Sequence, residues 1–262
     1  MPSPAAPSTV QVIKPVTPTT NTFRADLFKG KVVLSTGGRS GIVYKMIKVM
    51  MNHGLLLPIS GPENEKAAAQ LSKETGRTCL PCQGDVRKPE DLKAAAKAAY
   101  EKFGKIDFVI CGMRFPCPCA TGWAAVIETV SFWQTQALQV TCTYDSELFL
   151  AVGVQLTVPD PPRCSLAPIE GLSENAFKTV VDIDLLGTYN TIKATLPYVR
   201  EAQGSYIHIS ATLHYRGLPY QAHVSAAKAG VDALSAVLAM EEGPRGVRSN
   251  VIAPDKYQSH DP

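Results

Sequence analysis

The stretch from Ser205 to Pro254 constrains the fold most, because it predicts a strand, a helix and a second strand in direct succession. The run SYIHIS is rich in aromatic and β-branched residues and alternates in polarity, as strands do. Residues 222–242 place apolar side chains at helical spacing, and VRSNVIAP closes the stretch as an apolar strand. Two strands joined through a helix form a parallel crossover unit, so we expect a parallel sheet.

The same alternation of strands and helices occupies the chain from Lys31 onward. The predicted strands are KVVLST, LLLPIS, RTCLPCQ and KIDFVICG. The predicted helices cover residues 43–53, residues 62–75, the run PEDLKAAAKAAYEKF and a long stretch from Ser173, its N-cap, to Tyr198. Alternating elements of this kind build a parallel sheet with helices on both faces and a ligand crevice at the carboxyl ends of the strands. We therefore predict a single α/β domain with a Rossmann-like, doubly wound sheet.

Several segments lie outside this pattern. Residues 1–25 are rich in Pro, Ser and Thr and are predicted to be a disordered tail. Residues 26–112 and 167–254 form the two halves of the predicted fold, and an atypical insertion, residues 113–166, separates them. Residues 255–262 are predicted to be a short tail after a truncated C-terminal half. The insertion reads like a translated non-coding segment, and a cysteine-based metal-binding loop is the alternative.

Composition excludes several classes of protein. A formal net charge of +3 is too small to indicate nucleic-acid binding, and no apolar segment has the length of a membrane span or the order of a signal peptide. Seven cysteines in such a chain indicate free thiols in a reducing compartment. Cys79 and Cys82 form a Cys-x-x-Cys motif within a strand, where a redox pair or half of a zinc site is the alternative to ordinary thiols. No metal site is predicted.

A glycine-rich turn, TGGRSGI, lies between the first strand and the first helix. In such a unit the backbone N–H groups at the helix start suit a pyrophosphate, while Gly37 and Gly41 let a ligand approach the main chain. A simple chain reversal is the alternative. Lys228 lies among small residues of the last predicted helix, so a backbone or a ligand comes close to it, unless the lysine only extends to solvent.

Together with GDVR, VDIDLLGTYN, IHISATL and Lys228, this turn resembles the short-chain dehydrogenase/reductase family over residues 28–112 and 168–254. The resemblance implies that Asp85 binds the adenine of a nicotinamide dinucleotide and that Lys228 binds its nicotinamide ribose. It implies that the dinucleotide phosphates lie on Thr36, Gly37, Gly38, Arg39, Ser40, Gly41 and Ile42.

The catalytic tetrad of that family, Asn, Ser, Tyr and Lys, is only partly present. Asp184 stands in the place of Asn, Ala211 in that of Ser and Val224 in that of Tyr, whereas Lys228 is retained. Without the tyrosine, ordinary carbonyl reduction has no proton donor. One branch of the family, the 2,4-dienoyl-CoA reductases of the peroxisomal type, carries Asp at the Asn position. The runs LSENAFKTVVDIDLLGTYNTIKATLP and GSYIHISATLHYRGLPYQAHVSAAKAGVDALS resemble fungal members of this branch.

The resemblance implies NADPH-dependent reduction of a 2,4-dienoyl-CoA to a 3-enoyl-CoA in the β-oxidation of unsaturated fatty acids. Asp184 and Lys228 then hold, or act with, the water that returns a proton to the α-carbon, and Tyr215 is a second catalytic candidate. Arg87 is implied to lie near the fatty acyl-CoA substrate, with an ordinary surface arginine as the alternative. A peroxisomal homotetramer is implied, although residues 260–262 are not a peroxisomal address and the cytoplasm is the alternative.

Three departures from the family affect the expected cofactor-binding and substrate-binding regions. Val43 replaces the third glycine of the turn. Gly61-Pro62 replaces the Gly-Arg pair that clamps a 2′-phosphate, with Arg39 as a candidate substitute. After VIAP the chain reads DKYQSHDP, where the family continues with a substrate-binding helix and a further strand.

Two alternatives to the reductase therefore stay open. The first is a catalytically impaired, non-enzymatic relative, which predicts no NADPH binding even at millimolar nucleotide. The second is a carbonyl reductase of the same family that uses Tyr215 or Tyr220 as its acid, which predicts turnover of a ketone.

Overall fold

A computed structural model describes residues 26–38, 41–54, 57–60, 64–82, 84–112 and 167–254. The two predicted tails, the insertion at 113–166, Arg39, Ser40 and the Gly61-Pro62 pair lie outside these residues. Within the described ranges, no helix combines the length and the apolar character needed to cross a membrane.

One parallel sheet forms the centre of the described structure. Its strands are β1 (Val33–Thr36), β2 (Leu57–Ser60), β3 (Cys79–Cys82), β4 (Phe108–Cys111), β5 (Ser205–Ile209) and β6 (Arg248–Ile252). The six strands lie in the order β3-β2-β1-β4-β5-β6, and every neighbouring pair is parallel. This is the order of a dinucleotide-binding sheet, in which the winding direction reverses between β1 and β4 and leaves a crevice at their carboxyl ends. The predicted α/β class and doubly wound sheet are confirmed.

The helices connect the strands as the sequence predicts. They are α1 (Gly41–Asn52), α2 (Asn64–Thr75), α3 (Pro89–Phe103), α4 (Glu174–Val181), α5 (Gly187–Glu201), α6 (Leu213–Arg216) and α7 (Ala222–Glu242). Helix α3 begins with Pro89, where the missing N–H leaves no hydrogen bond unmade. It ends at Gly104, whose φ of 77° suits a left-handed C-cap. The bounds of α3 and α7 coincide with the predicted helical runs.

The long helix predicted from Ser173 to Tyr198 is present, but it contains a wide turn that was not predicted. The Ser173 hydroxyl accepts a hydrogen bond from Ala176 N at 3.2 Å and caps α4. Residues Asp182–Leu186 then form a π-helical segment, and α5 continues the same helix to Glu201. Wide turns of this kind are rare and frequently lie at functional sites.

Alternate strand positions build a core on each face of the sheet. The core beneath α1 and α2 contains Val33, Ile47, Met51, Leu71 and Ile110. The core beneath α3, α5 and α7 contains Leu34, Val109, Ile192, Tyr206 and Leu238. Because both faces are covered near the sheet centre, a ligand has access at the carboxyl edge of the strands.

The Cys79 and Cys82 thiols of β3 are free. Three residues of extended chain span roughly 10 Å, beyond the ~7 Å between Cα atoms that a disulfide can bridge. Burial raises the pKa of Cys79 to about 12, so its reactive thiolate is scarce at neutral pH. These geometries do not suit a redox pair. In the part of the chain that the structure describes, no group of three or more His, Cys, Asp or Glu side chains could hold a metal ion.

His208 of β5 is a buried histidine whose protonation opposes folding. Its side chain is fully buried, and its Nε2 lies 3.1 Å from Ser249 Oγ, which lies 2.8 Å from Ser235 Oγ. Burial lowers the pKa of His208 from 6.5 to about 4. The unfolded chain therefore binds more protons between these two values. The stabilisation is complete above about pH 6.5 and is lost as the pH falls towards 4.

We expect acidification from about pH 7 to about pH 5 to lower the free energy of unfolding by about 2 kcal/mol through His208 alone. His208→Gln retains a polar partner for Ser249 and removes this titration. Urea unfolding of both proteins at the two pH values measures the effect. Buried His223 also has a lowered pKa and contributes equally to both proteins, so only the difference between them reports on His208. Equal losses in the two proteins would contradict the assignment.

Candidate active site

The described structure brings together Asp184 and Lys228, two residues that the sequence predicts to be catalytic. Lys228 Nζ lies 3.3 Å from Asp184 Oδ2 and donates a hydrogen bond to Ile209 O at 3.1 Å. The side chains of the pair are only 9% and 3% exposed, for Lys228 and Asp184 respectively. Asp184 comes from the π-helical segment, Lys228 from α7 and Ile209 from the carboxyl end of β5. The pair therefore lies at the edge of the sheet where doubly wound folds bind ligands.

Close packing of two helices explains the small residues around Lys228. A Cβ atom on Gly230 would lie 2.7 Å from Leu185 Cδ2, so the glycine allows α7 to approach the π-helical segment. Leu185 is the neighbour of Asp184, and Gly230 lies two residues after Lys228. The sequence predicted that a backbone or a ligand comes close to Lys228, and on this side the close neighbour is the Leu185 side chain.

Opposing electrostatic effects act on the pKa of Asp184. Burial raises the pKa of Asp184, while the charge and the hydrogen bond of Lys228, and the charge of His223, act in the opposite direction. Asp184 Oδ1 is buried, and no described residue donates a hydrogen bond to it. A carboxyl group with a raised pKa beside a fixed ammonium group is suited to hold or exchange a proton. His223 is fully buried in α7, and the sequence reasoning missed its influence on this pair.

No hydroxyl group stands at the two tetrad positions that lost one. Ala211 follows β5, and Val224 lies one helical turn before Lys228 in α7. Ser210, the nearest serine in sequence to Ala211, is buried, and its hydroxyl donates to Lys228 O at 3.5 Å. This hydroxyl therefore contacts the backbone of α7.

Tyr215, the second catalytic candidate, contacts Asp232 of α7. Its hydroxyl donates to Asp232 Oδ2 at 3.0 Å, and the same oxygen lies 2.9 Å from His214 Nε2. The bond with Asp232 raises the pKa of Tyr215, whose side chain is 61% exposed. A tyrosine held in this way is a weaker acid than a free one. The structure thus joins Tyr215 to α7 through Asp232, four residues beyond Lys228, and shows no contact of Tyr215 with Asp184 or Lys228 among the described residues.

The described residues of the glycine-rich turn leave little room for side chains. Gly37 has a φ of 78°, and a Cβ atom there would lie 1.8 Å from Gly112 O. A Cβ atom on Gly38 would lie 2.7 Å from Ile47 Cδ1. Thr36 is fully buried. Its hydroxyl donates to Ile110 O at 3.4 Å and its carbonyl oxygen accepts from Gly112 N at 3.2 Å, so Thr36 supports the turn from within the sheet. Helix α1 begins at Gly41, and the N–H groups of its first turn have no partner within the helix. These features fit the diphosphate of a dinucleotide.

Val43, which replaces the third family glycine, packs into the contact between α1 and the sheet. Its side chain is 5% exposed and belongs to the core with Val33, Ile47 and Ile110. A Cβ atom on Gly112 would lie 2.2 Å from Val43 Cγ2. Gly112 at the end of β4 therefore provides the room that Val43 takes, which the sequence reasoning did not anticipate.

Asp85 and Arg87, predicted to bind adenine and the CoA substrate respectively, bind each other. Arg87 Nη2 and Nε donate to Asp85 Oδ2 at 2.7 and 3.0 Å, and the Arg87 backbone N donates to Asp85 Oδ1 at 2.9 Å. The hydrogen bond with Asp85 raises the pKa of Arg87, and the charge of Asp182 adds to this effect. Arg87 is therefore already paired with the Asp85 carboxylate. The charges two residues apart in a turn were the sequence signal for this pairing.

Comparison with known proteins finds a family match in each half of the chain. Residues 31–121 match the family described as short chain dehydrogenase, and residues 161–259 match the one described as enoyl-(acyl carrier protein) reductase. The peroxisomal 2,4-dienoyl-CoA reductase of Saccharomyces cerevisiae is 38% identical over 244 residues, which cover 90% of this chain and 66% of that protein. The enzyme of the same name from Rattus norvegicus is 36% identical over 236 residues, which cover 88% of this chain and 64% of that protein. This chain thus spans slightly less than two thirds of the length of these relatives.

Solved structures confirm the fold. A short chain dehydrogenase from Mycobacterium smegmatis superposes with a TM-score of 0.66 at 21% identity, over 88% of this chain and 78% of that chain. An NAD⁺-bound xylitol dehydrogenase superposes with a TM-score of 0.67 at 19% identity, over 87% of this chain and 71% of that chain. The sheet order, the glycine-rich turn, the retained lysine and the matches of both halves lead to one assignment. The chain belongs to the short-chain dehydrogenase/reductase family of oxidoreductases.

Proposed function

We propose that this chain reduces a 2,4-dienoyl-CoA to a 3-enoyl-CoA with NADPH, in the β-oxidation of unsaturated fatty acids. The observation that carries the proposal is the buried pair of Asp184 and Lys228, with Ala211 and Val224 where the family has hydroxyl groups. A site that protonates an alkoxide needs such a hydroxyl, whereas a site that protonates carbon does not. The names of the relatives support the same reaction.

The proposed chemistry uses the two residues in different ways. A bound nicotinamide cofactor would supply the hydride that adds to the far end of the conjugated diene. The Lys228 ammonium group, fixed by Asp184 and by Ile209 O, stabilises the negative charge that develops on the thioester oxygen. Asp184, whose pKa is raised by burial, holds the proton or the proton-carrying water that is delivered to the α-carbon. One hydride and one proton together complete the reduction.

We assign the dinucleotide phosphates to the turn at residues 36–42, and adenine to Asp85. Arg87 occupies both carboxylate oxygens of Asp85, but each oxygen can accept more than one hydrogen bond, so an adenine amino group can still bind. Arg87 can reach a CoA phosphate only after its bonds with Asp85 open. Lys228 additionally binds the nicotinamide ribose in this proposal, and Arg39 binds the 2′-phosphate.

We further propose that the chain forms a homo-oligomer and acts in the peroxisome. Exposed apolar side chains on the helices, Leu186, Tyr189, Val237 and Met240, support self-association. Sedimentation of the purified chain tests this point, and a monomer at micromolar concentration would contradict it. The compartment rests on the printed names of the relatives and is tested by imaging the tagged protein in cells.

The reaction is tested with isotopes. The purified chain is mixed with NADPH that carries deuterium in the transferable position and with 2,4-decadienoyl-CoA. We expect 3-decenoyl-CoA with the label at the far end of the former diene, and solvent deuterium at the α-carbon when D₂O is used. No NADPH oxidation at millimolar nucleotide would favour the non-enzymatic reading. If the chain reduces a ketone, and Tyr215→Phe or Tyr220→Phe abolishes this activity, a carbonyl reductase is favoured.

We expect Asp184→Asn to lower kcat by about 10²- to 10⁴-fold, because the amide cannot deliver the proton. The KM for NADPH should change by less than about threefold, since the substitution preserves shape. Asp182→Asn is the matched control, because Asp182 lies in the same π-helical segment but pairs with Lys178 near the surface. Equal losses in the two variants would show that the segment, not the acid, is responsible.

A further inference from the structure

A cleft of about 370 Å³ opens between the beginning of α4 and the beginning of α7. Its lining residues are Ile169, Leu172, Glu174, Phe177 and Ala222. All except Glu174 are apolar, and Ile169 and Phe177 leave 80% and 37% of their surface exposed. Large apolar side chains left open inside a concave surface are typical of a binding site.

The cleft is aligned with the Asp184–Lys228 pair. Phe177 and Ala222 meet at the cleft, Asp184 meets Lys228 further along, and Leu185 meets Gly230 beyond them. The two helices therefore run side by side in the same direction. From Ala222 to Lys228 the helix advances about 9 Å, and from Phe177 to Asp184 about 10 Å. The cleft thus lies about two helical turns from the pair, towards the N-terminal ends of both helices.

We infer that this cleft holds the acyl tail of the thioester substrate and selects for its length, an inference that rests on the proposed function. The reacting end of the substrate lies at Lys228, and an apolar tail that extends from it along α4 and α7 enters the cleft. Glu174 and the neighbouring Glu170 place negative charge at this end. Such charge repels the phosphates of CoA, so the CoA moiety extends away from the cleft.

Binding of saturated thioesters, which the enzyme cannot reduce, tests the inference on the 262-residue chain. Calorimetric titration of CoA, hexanoyl-CoA and decanoyl-CoA should show that the four extra methylenes strengthen binding on the order of tenfold. Full burial of all four would give about 250-fold, at about fourfold each, but the open cleft buries only part of each methylene. Ala222→Leu fills the cleft and should abolish this tenfold gain while it changes the affinity for free CoA by less than about twofold. Ala233→Leu is the matched control, because Ala233 is exposed on the same helix.

A second variant keeps the inference testable if Ala222→Leu does not fold. Phe177→Ala removes a partly exposed ring from the cleft wall and should weaken decanoyl-CoA binding several-fold without affecting free CoA. Equal affinities for hexanoyl-CoA and decanoyl-CoA in the unmodified chain would overturn the inference. The inference would also be overturned if Ala222→Leu weakened the binding of free CoA as much as that of decanoyl-CoA. That result would place the CoA moiety in the cleft.

The outcomes separate this inference from the proposed reaction. Reduction of 2,4-decadienoyl-CoA without any dependence of binding on chain length leaves the reaction standing and removes the cleft assignment. A second outcome is binding that depends on chain length and loses this dependence in Ala222→Leu, with no turnover of the dienoyl thioester. That outcome supports the cleft assignment and overturns the proposed reaction. Failure to bind any thioester overturns both.

Discussion

Lys228→Met is expected to lower the free energy of unfolding by about 3–5 kcal/mol, because it leaves the Asp184 carboxylate buried without its counter-ion. Lys228 also donates to Ile209 O, so the substitution removes a second interaction. The double variant Asp184→Asn/Lys228→Met should recover part of the loss, since no buried charge remains. Urea unfolding of the two single variants and the double variant measures the coupling. Strictly additive losses would contradict a buried ion pair.

The pH dependence of Lys228→Met provides an independent check. Lys228 lowers the pKa of Asp184 against the larger effect of burial, so its removal raises that pKa further above 3.8. A group whose pKa is raised by folding contributes stability that is complete below its unfolded pKa and is lost as the pH rises through its folded pKa. The deficit of Lys228→Met relative to the unmodified chain should therefore shrink near about pH 4 and grow towards neutrality. A deficit independent of pH would indicate that Asp184 is not the affected group.

Gly37→Ala is expected to have the second large effect, on both stability and cofactor binding. The new Cβ atom would lie 1.8 Å from Gly112 O, and the residue would keep a φ of 78°. The left-handed backbone alone costs roughly 1–2 kcal/mol, and the backbone clash brings the total to on the order of 4 kcal/mol. Because relief of the clash moves the turn away from β4, dinucleotide binding should become undetectable.

Gly76→Ala is the matched control for Gly37→Ala. Gly76 has a φ of 66°, but nothing lies within 4 Å of a Cβ atom placed there. It should therefore show the backbone cost alone, roughly 1–2 kcal/mol, and leave dinucleotide binding unchanged. Denaturant unfolding and NADPH titration of both variants separate the two contributions. Similar losses of stability in the two variants would show that the approach of Gly37 to Gly112 is not a constraint.

Local patterns predicted the elements, because their signals are themselves local. The run PEDLKAAAKAAYEKF combines a proline start, a helical period and a glycine stop, and α3 has these bounds. The apolar strands and their order of appearance implied a parallel sheet, which the strand pairing confirms. The π-helical segment has no comparable signal, since VDIDLLGT has an apolar spacing that suits an ordinary helix equally well.

The candidate site was predictable only where a family motif positions a residue. Asp184 and Lys228 were placed by resemblance, and the structure brings them within 3.3 Å. The partners of two predicted site residues were missed: Asp85 with Arg87, and Tyr215 with Asp232. Each depends on which of several acceptors a flexible side chain meets in three dimensions. The apolar cleft was missed for a similar reason, because its walls come from two helices about 50 residues apart in the chain.

The wide turn at Asp182–Leu186 allows one continuous helix to serve two different partners. A π-helical turn holds about one residue more than an α-helical turn, so the residues after it are rotated by about 100° relative to an uninterrupted α-helix. Helix α4 packs against α7, whereas α5 packs mainly against α3 and β4. The rotation thus separates two contact faces along one helix, and the carboxylate of Asp184 lies at the junction. The orientation of Asp184 is therefore fixed from both sides, by the docking of α4 before it and of α5 after it.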